Sequence, residues 1–312
     1  MQFINAISSF FSYLLSGLPQ TAAQGMIWGI MAIGVFITFK ILDIADLTVD
    51  GSIVTGAAVC VVLFNRGVNL WVAILVATAA GLLCGLCTGL LHTVLGIPPI
   101  LAGILTQQTL WTVNLVIGGK PNVAFSWAKK HLVVISSDST KILTTVLYLA
   151  IIVAVVIAIL YWFFGTELGA SLRATGNNLN MSRAQGINTS FTKVLGLAIS
   201  NGIVALAGAL LSQYSGAYDI NMGRGAIVFG LAAVVVGDAL VSRWFTGFIP
   251  RLIGVVLGGI VYFLVYQIVL FFNIDPKLLK MLSAVIIATF LGVPYLKKKY
   301  FKSKKKEVKA NA

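Results

Sequence analysis

Charge is scarce in this sequence. Asp, Glu, Lys and Arg make up only 10% of its 312 residues, and just 9 are acidic, where a soluble domain typically carries about a quarter. That deficit excludes an ordinary water-soluble fold. The chain has only 2 histidines, and its 3 cysteines, Cys60, Cys84 and Cys87, all lie in apolar runs. Cys84 and Cys87 have the spacing of half a zinc site, but no second pair follows and His92 is the only nearby imidazole. They are therefore expected to be small helix-packing side chains, with no metal site. The phosphate-binding sequence GxxxxGK[ST] is missing, as are HExxH and GxSxG. The chain thus lacks recognisable machinery for nucleotide hydrolysis, metal-assisted hydrolysis or acyl transfer, and no cofactor is expected.

What the sequence has in abundance is hydrophobic residues, 59% of the total. They form long stretches separated by Gly, Pro and Asn, without the alternation of an outer-membrane barrel. The expected fold is an all-α, polytopic integral membrane protein of about ten transmembrane helices. The expected spans are residues 3–18, 22–40, 51–64, 70–95, 99–118, 142–164, 194–213, 225–241, 248–272 and 278–296, and the first is marginal. Residues 3–18 either cross the membrane or lie along its surface. They lack the basic flank of a signal peptide, so cleavage is not expected. The division is a membrane domain, residues 1–296, followed by a basic tail, residues 297–312, with eight lysines.

The net charge of +13 is concentrated in that tail, directly after an apolar span. A lysine cluster so placed is an anchor to anionic lipid on the cytoplasmic side, not a nucleic-acid surface. Placing the tail and the polar segment 165–188 on one side puts 14 of the 22 basic residues there, in agreement with the positive-inside rule. Strong ionisable groups are missing from the interior of the continuous spans, which leaves little for a proton relay.

The third span is too short. Residues 51–64 number 14, about 21 Å of helix against a hydrocarbon core of about 30 Å. The preceding residues 42–50, with Asp43, Asp46 and Asp50, either form a cytoplasmic turn or enter the membrane unwound, as broken helices on transport paths do. Asp50 stands where it would cap the short helix. Polar residues within spans are few, chiefly Gln107, Gln108, Asn114, Asn201, Gln213 and Gln267. Each either joins helices or lines a solute path. The candidates for the path are Asp50, Gln107, Asn201 and Gln213. Asp238, near the inner boundary, is hydrated, pairs with Arg243 or lines an exit. Two outward loops complete the inventory: residues 119–141, basic and carrying Trp127, Lys129, Lys130 and His131, and residues 216–224.

Residues 165–188, GTELGASLRATGNNLNMSRAQGIN, form a polar island between two apolar runs. Leu168 and Leu172, one turn apart, predict a short amphipathic helix along the membrane surface. A break follows at residues 176–178, then a second short helix ending at Gly186. The island is either a solvated loop or a docking element. GASLRATGNNLNMSRAQGIN, followed by NGIVALAGALLSQYSG, resembles the cytoplasmic coupling segment and next helix of ABC-importer permeases of the branched-chain amino-acid and ribose permease group. DLTVDGS at residues 46–52 is similar to the matching region. Within that group the chain looks most like tryptophan- and tyrosine-type permeases.

The resemblance implies a permease of the bacterial cell membrane that works as a homodimer, with ATPase subunits on the cytoplasmic face and an external solute-binding protein. It implies import of a small solute, an amino acid or related compound, with a nucleoside or sugar importer as the alternative on the same scaffold. The coupling residues it implies are Glu167, Leu172, Arg173, Ala174, Thr175, Gly176, Asn177 and Asn178. A reading of a different class, a non-transporting membrane scaffold with the island as a partner dock, also stands on the sequence.

Overall fold

The structure, a computed structural model, describes residues 2–126, 142–241 and 247–271 with isolated positions between 281 and 292, and side chains from residue 12 onward. The helices are α1 (Gln2–Phe36), α2 (Val49–Asn65), α3 (Leu70–Thr93), α4 (Pro99–Gly118), α5 (Ile142–Gly165), α6 (Glu167–Asn177), α7 (Leu179–Ala184), α8 (Thr189–Ser215), α9 (Ala226–Val241) and α10 (Phe248–Phe271). Ile37–Ile41 prolongs α1 as a π-helical turn. Two short strands, β1 (Asn122–Ala124) and β2 (Ala217–Asp219), pair antiparallel with Val123 opposite Tyr218.

Among the described residues six helices are long and apolar enough to cross a membrane, and α2 and α9 are shorter apolar helices. The helical, multi-pass expectation holds, while the count of about ten spans is not confirmed. The first two expected spans are one helix, which runs straight through Pro19. Proline is tolerated inside membrane helices where neighbours compensate. Here Gln267 of α10 lies against Gly17 and bonds the Thr21 hydroxyl, bracing the helix on both sides of Pro19. At 35 residues, α1 is about 52 Å long and exceeds the thickness of a bilayer core. Of the last expected span only isolated helical positions are described, and the basic tail lies outside the described residues.

The bundle is organised around α8, whose buried face is rich in Gly, Ala and Ser. A Cβ on Gly81 or Gly85 of α3 would fall on the α8 main chain at Asn201 or Leu197, and one on Gly56 of α2 would fall on Ala205. Small residues thus bring three helices to main-chain contact, the way membrane bundles gain dispersion energy when hydrophobicity gives no preference for protein over lipid. A second layer of α1, α9 and α10 uses the same device at Gly25 against Ile260 and Gly258 against Ala233. Trp28 of α1 fills this layer, its ring edge-on to Phe229 at 4.9 Å. The apolar side chains left exposed, such as Leu75, Leu83, Val116, Leu143 and Trp162, lie on α3, α4 and α5, as lipid-facing surfaces require.

The hairpin closes one end of the bundle. Asn65, at the last residue of α2, donates to the Ala124 carbonyl at 3.0 Å and accepts from the Ser126 amide at 2.9 Å. Tyr218, fully buried, donates to the Asn114 carbonyl at 3.1 Å. Burial, and then the charge of Asp219, pushes its phenol up to about 12. The stability this proton lends is present below the ordinary tyrosine value of 10.0 and is lost as pH rises through the folded value. Tyr218→Phe is expected to cost about 1 kcal/mol, checked by thermal melting in detergent at neutral pH. The hairpin thus joins the two outward loops, 119–141 and 216–224, through residues 122–124 and 217–219. Trp127, Lys129, Lys130 and His131 lie outside the described residues.

Candidate functional site

The polar island folds as α6 and α7, packed under the end of α8 that is farther from the hairpin. Thr166 caps α6 by accepting from the Gly169 amide at 3.4 Å. The break comes at Asn178, whose side chain accepts from the Asn180 and Met181 amides at 3.0 and 3.1 Å and so starts α7. Gly186, at φ +80°, ends it in the left-handed region. The buried face of α6 is Gly169, Leu172 and Thr175, whereas Leu168 is exposed. The pair Leu168 and Leu172 therefore does not define the apolar stripe. Leu172 points into the bundle while Leu168 stands with Glu167, Arg173, Asn177 and Asn178 on the free surface.

Three contacts fix α6 to the helices. The Thr175 and Thr192 hydroxyls are 2.9 Å apart, tying it to α8. Arg173 donates to the Phe164 carbonyl at 3.0 Å, placing a cation at the negative end of α5. Gly176 lies so close to the end of the π-turn that any Cβ would strike the Ile41 carbonyl and Leu42. Leu42 in turn reaches Gly196 of α8, beside Leu172. The surface element and the end of α1 therefore share one contact patch with no room for slippage. A cleft of about 1010 Å³ opens beside it, lined among others by Lys40, Asp43, Arg173, Asn177 and Arg251.

From this patch residues 42–48 run as non-helical chain back into the bundle. Asp43 has φ 58°, unique among the described non-glycine residues, and this turns the chain after the π-turn. Such irregular backbone is tolerated at membrane depth only when protein satisfies it, and a polar seam does so here. Asp46, 2% exposed, accepts from the Thr48 amide at 2.9 Å and from Asn201 at 2.6 Å. Asn201 accepts from the Ser52 hydroxyl at 2.6 Å. The Thr48, Thr88 and Thr106 hydroxyls continue the seam to α3 and α4 at 2.8 and 3.0 Å. Of the two readings of residues 42–50, the structure has the unwound segment inside the bundle.

The segment delivers Asp50 to a place the sequence did not indicate. Asp50 sits in the first turn of α2 and does not cap it, since Thr48 is the N-cap residue and gives no side-chain cap. Its carboxylate accepts instead from the Gly225 amide at 3.0 Å and the Ile227 amide at 2.9 Å, capping α9. A carboxylate there satisfies amides that the helix itself cannot and meets the positive end of its dipole. Helix rise puts this junction about 18 Å from Asp238 along α9 and about 22 Å from Asn65 along α2, deep in the bundle. Asp238 itself pairs with Lys40 at 3.1 Å. Arg243, the partner considered for it, lies outside the described residues.

A cavity of about 120 Å³ opens at the junction, lined by Asp50, Gln107, Gln108, Trp111, Asn114 and Arg224 with neighbouring backbone. Of the four path candidates, Asp50 and Gln107 meet here. Asn201 and Gln213 do not: at 0% and 1% exposure they lie within helix contacts, Asn201 in the polar seam and Gln213 against Cys60 and the Ala209 carbonyl. Asn114, Trp111 and Arg224 were not singled out for the path. The signal for two of them was present, because residues 107, 111 and 114 recur on one helical face. Arg224 arrives from the loop after β2 and had no such signal.

The comparisons with known proteins agree with this architecture. A family model described as "Branched-chain amino acid transport system / permease component" matches residues 17–291. The "Tyrosine transport system permease protein" of Clostridioides difficile (strain R20291) is 37% identical over 278 residues, covering 89% of this chain and 91% of that protein. An uncharacterized protein of Rickettsia prowazekii (strain Madrid E) is 32% identical over 268 residues, covering 85% of this chain and 92% of that protein. An "Autoinducer 2 import system permease protein" of Yersinia pestis (strain Pestoides F) is 29% identical over 263 residues, covering 83% and 70%. No solved structure matches the chain. The chain belongs to the branched-chain amino-acid permease family: it is the multi-pass permease component of an ABC-type transporter, not an enzyme.

Proposed function

We propose that the chain, as a homodimer in the bacterial cell membrane, imports an amino acid or related solute, driven by separate ATPase subunits that dock on the α6–α7 island. Residues 1–296 are the permease domain, and the lysine-rich tail holds the same cytoplasmic face as the island. An external binding protein delivers solute at the hairpin end. The observation that carries this reading is the contact of Gly176 with Ile41 and Leu42. Through it, displacement of a surface helix is passed to the unwound segment and on to the Asp50 junction. The exposed surface of Glu167, Arg173, Asn177 and Asn178 with Ala174 at its edge supplies the docking contacts, while Leu172, Thr175 and Gly176 transmit them.

Dimerisation is supported by α4. Gln108 and Thr112 lie exposed in the middle of this apolar helix, where lipid offers no hydrogen bond and a second copy does. Amino-acid import is supported by the tyrosine-system relative. A sugar-like solute is the second reading, supported by the autoinducer 2 relative at lower identity. The test is uptake into proteoliposomes holding the permease, its ATPase and its binding protein. ATP-dependent accumulation of L-tyrosine, or of another amino acid in a labelled panel, is expected. Accumulation of ribose alone favours the second reading, and no ATP-dependent uptake of any solute contradicts both.

A further inference from the structure

The cavity at the Asp50 junction has an unbalanced set of hydrogen-bonding groups. Asn114 is 1% exposed, and its Nδ2 donates to the Gly51 carbonyl at 3.3 Å. Its Oδ1 is buried and has no partner. A buried acceptor left unpaired is costly and calls for an explanation. Beside it, the Asp50 carboxylate spends only part of its acceptor capacity on the α9 amides, since a carboxylate has about four lone-pair positions. The deep end of the cavity is therefore rich in acceptors. The cation of the set, Arg224, is exposed at the loop side.

We infer that this cavity is a solute station that takes the ammonium end of an amino acid on Asp50 and Asn114 Oδ1, with Arg224 at the rim for the carboxylate. An ammonium group presents three donors and no acceptor, which complements the deep end. Because Asp50 already neutralises the start of α9, the helix terminus does not compete for the solute's anion. A volume of about 120 Å³ is room for about four waters at ~30 Å³ each, enough for an amino-acid head group but too small for a whole aromatic amino acid. The side chain then extends past Trp111 and Gln108, on the exposed α4 face that the second copy covers in the dimer proposed above. This inference rests on the amino-acid importer reading and specifies which solute atoms the permease holds.

The test is equilibrium binding to the purified full-length chain in nanodiscs, with L-tyrosine, tyramine and para-hydroxyphenylpropionate as probes. L-Tyrosine and tyramine, which keep the ammonium group, are expected to bind, and para-hydroxyphenylpropionate at least about tenfold more weakly, the factor a charged hydrogen bond supplies. Asp50→Asn keeps one of the two oxygens that cap α9 and is expected to weaken L-tyrosine binding by about tenfold or more. Asn114→Leu is expected to do the same, whereas Asn114→Asp, which restores an acceptor, keeps tyramine binding. Equal binding of the deaminated probe, unchanged binding by both loss variants, or no binding of any probe overturns the station. Uptake measured with the same permease in proteoliposomes holding its ATPase and binding protein separates the two claims. Uptake of L-tyrosine without ammonium-dependent binding leaves the importer standing and removes the station, while ammonium-dependent binding without uptake does the reverse.

Discussion

Gly176→Val is expected to abolish solute-stimulated ATP hydrolysis and transport while the ATPase subunit still co-purifies. The new side chain would have to occupy the space of the Ile41 carbonyl and Leu42, main-chain atoms at the end of the π-turn. Rigid neighbours cannot swing aside, and overpacking of this kind typically costs about 1–3 kcal/mol. Here relief comes from lifting the C-terminal turn of α6 away from α1. Arg173, one turn earlier, keeps its bond to the Phe164 carbonyl, and Glu167, Asn177 and Asn178 keep their exposure. Docking is therefore retained and transmission is lost. ATP hydrolysis with and without loaded binding protein, together with the melting temperature, measures this. Wild-type stimulation in a folded Gly176→Val complex would rule out this contact as the route.

The second large effect is on folding. Gly85→Val is expected to prevent recovery of a monodisperse permease, because the added Cβ would meet the Leu197 carbonyl and Ala198 at the tightest part of the α3–α8 crossing. In a membrane the helices are joined by packing and interhelical hydrogen bonds, not by hydrophobic exclusion, so separating the axes removes much of what holds them together. It also strains the neighbouring seam of Ser52, Asn201 and Asp46. Against a total stability of about 5–15 kcal/mol, a loss of several kcal/mol at the central helix is decisive. Size-exclusion chromatography in detergent gives the readout, and Gly85→Ala should fall between valine and wild type. A monodisperse valine variant with unchanged melting temperature would mean that α3 and α8 do not approach this closely.

What was legible in the sequence was what depends on local composition. The apolar runs gave the helices, the polar island gave α6 and α7, and the shortness of residues 51–64 announced the unwound entry to α2. Asp50 was singled out for the right property, a carboxylate free to cap, but for the wrong helix, since nothing local records that Gly225 would come to lie beside it. The same limit explains the hairpin, whose strands are separated by about a third of the sequence of the bundle. The expected spans 3–18 and 22–40 are one helix, which tertiary support from Gln267 carries through Pro19 against its local propensity. Asn201 and Gln213 were candidates because polar side chains in apolar helices serve both as structural links and as path lining. Only their placement assigns them to the contacts between helices.

The island's position and partner are the heart of this account, and cysteine labelling tests them directly. With Cys60, Cys84 and Cys87 replaced, Asn177→Cys is treated with a membrane-impermeant maleimide in sealed vesicles of either orientation, with and without the ATPase subunits. The account predicts labelling from the cytoplasmic side alone and protection of Cys at that position once the ATPase is bound. Labelling from the external side, or cytoplasmic labelling that the ATPase leaves unchanged, would contradict it.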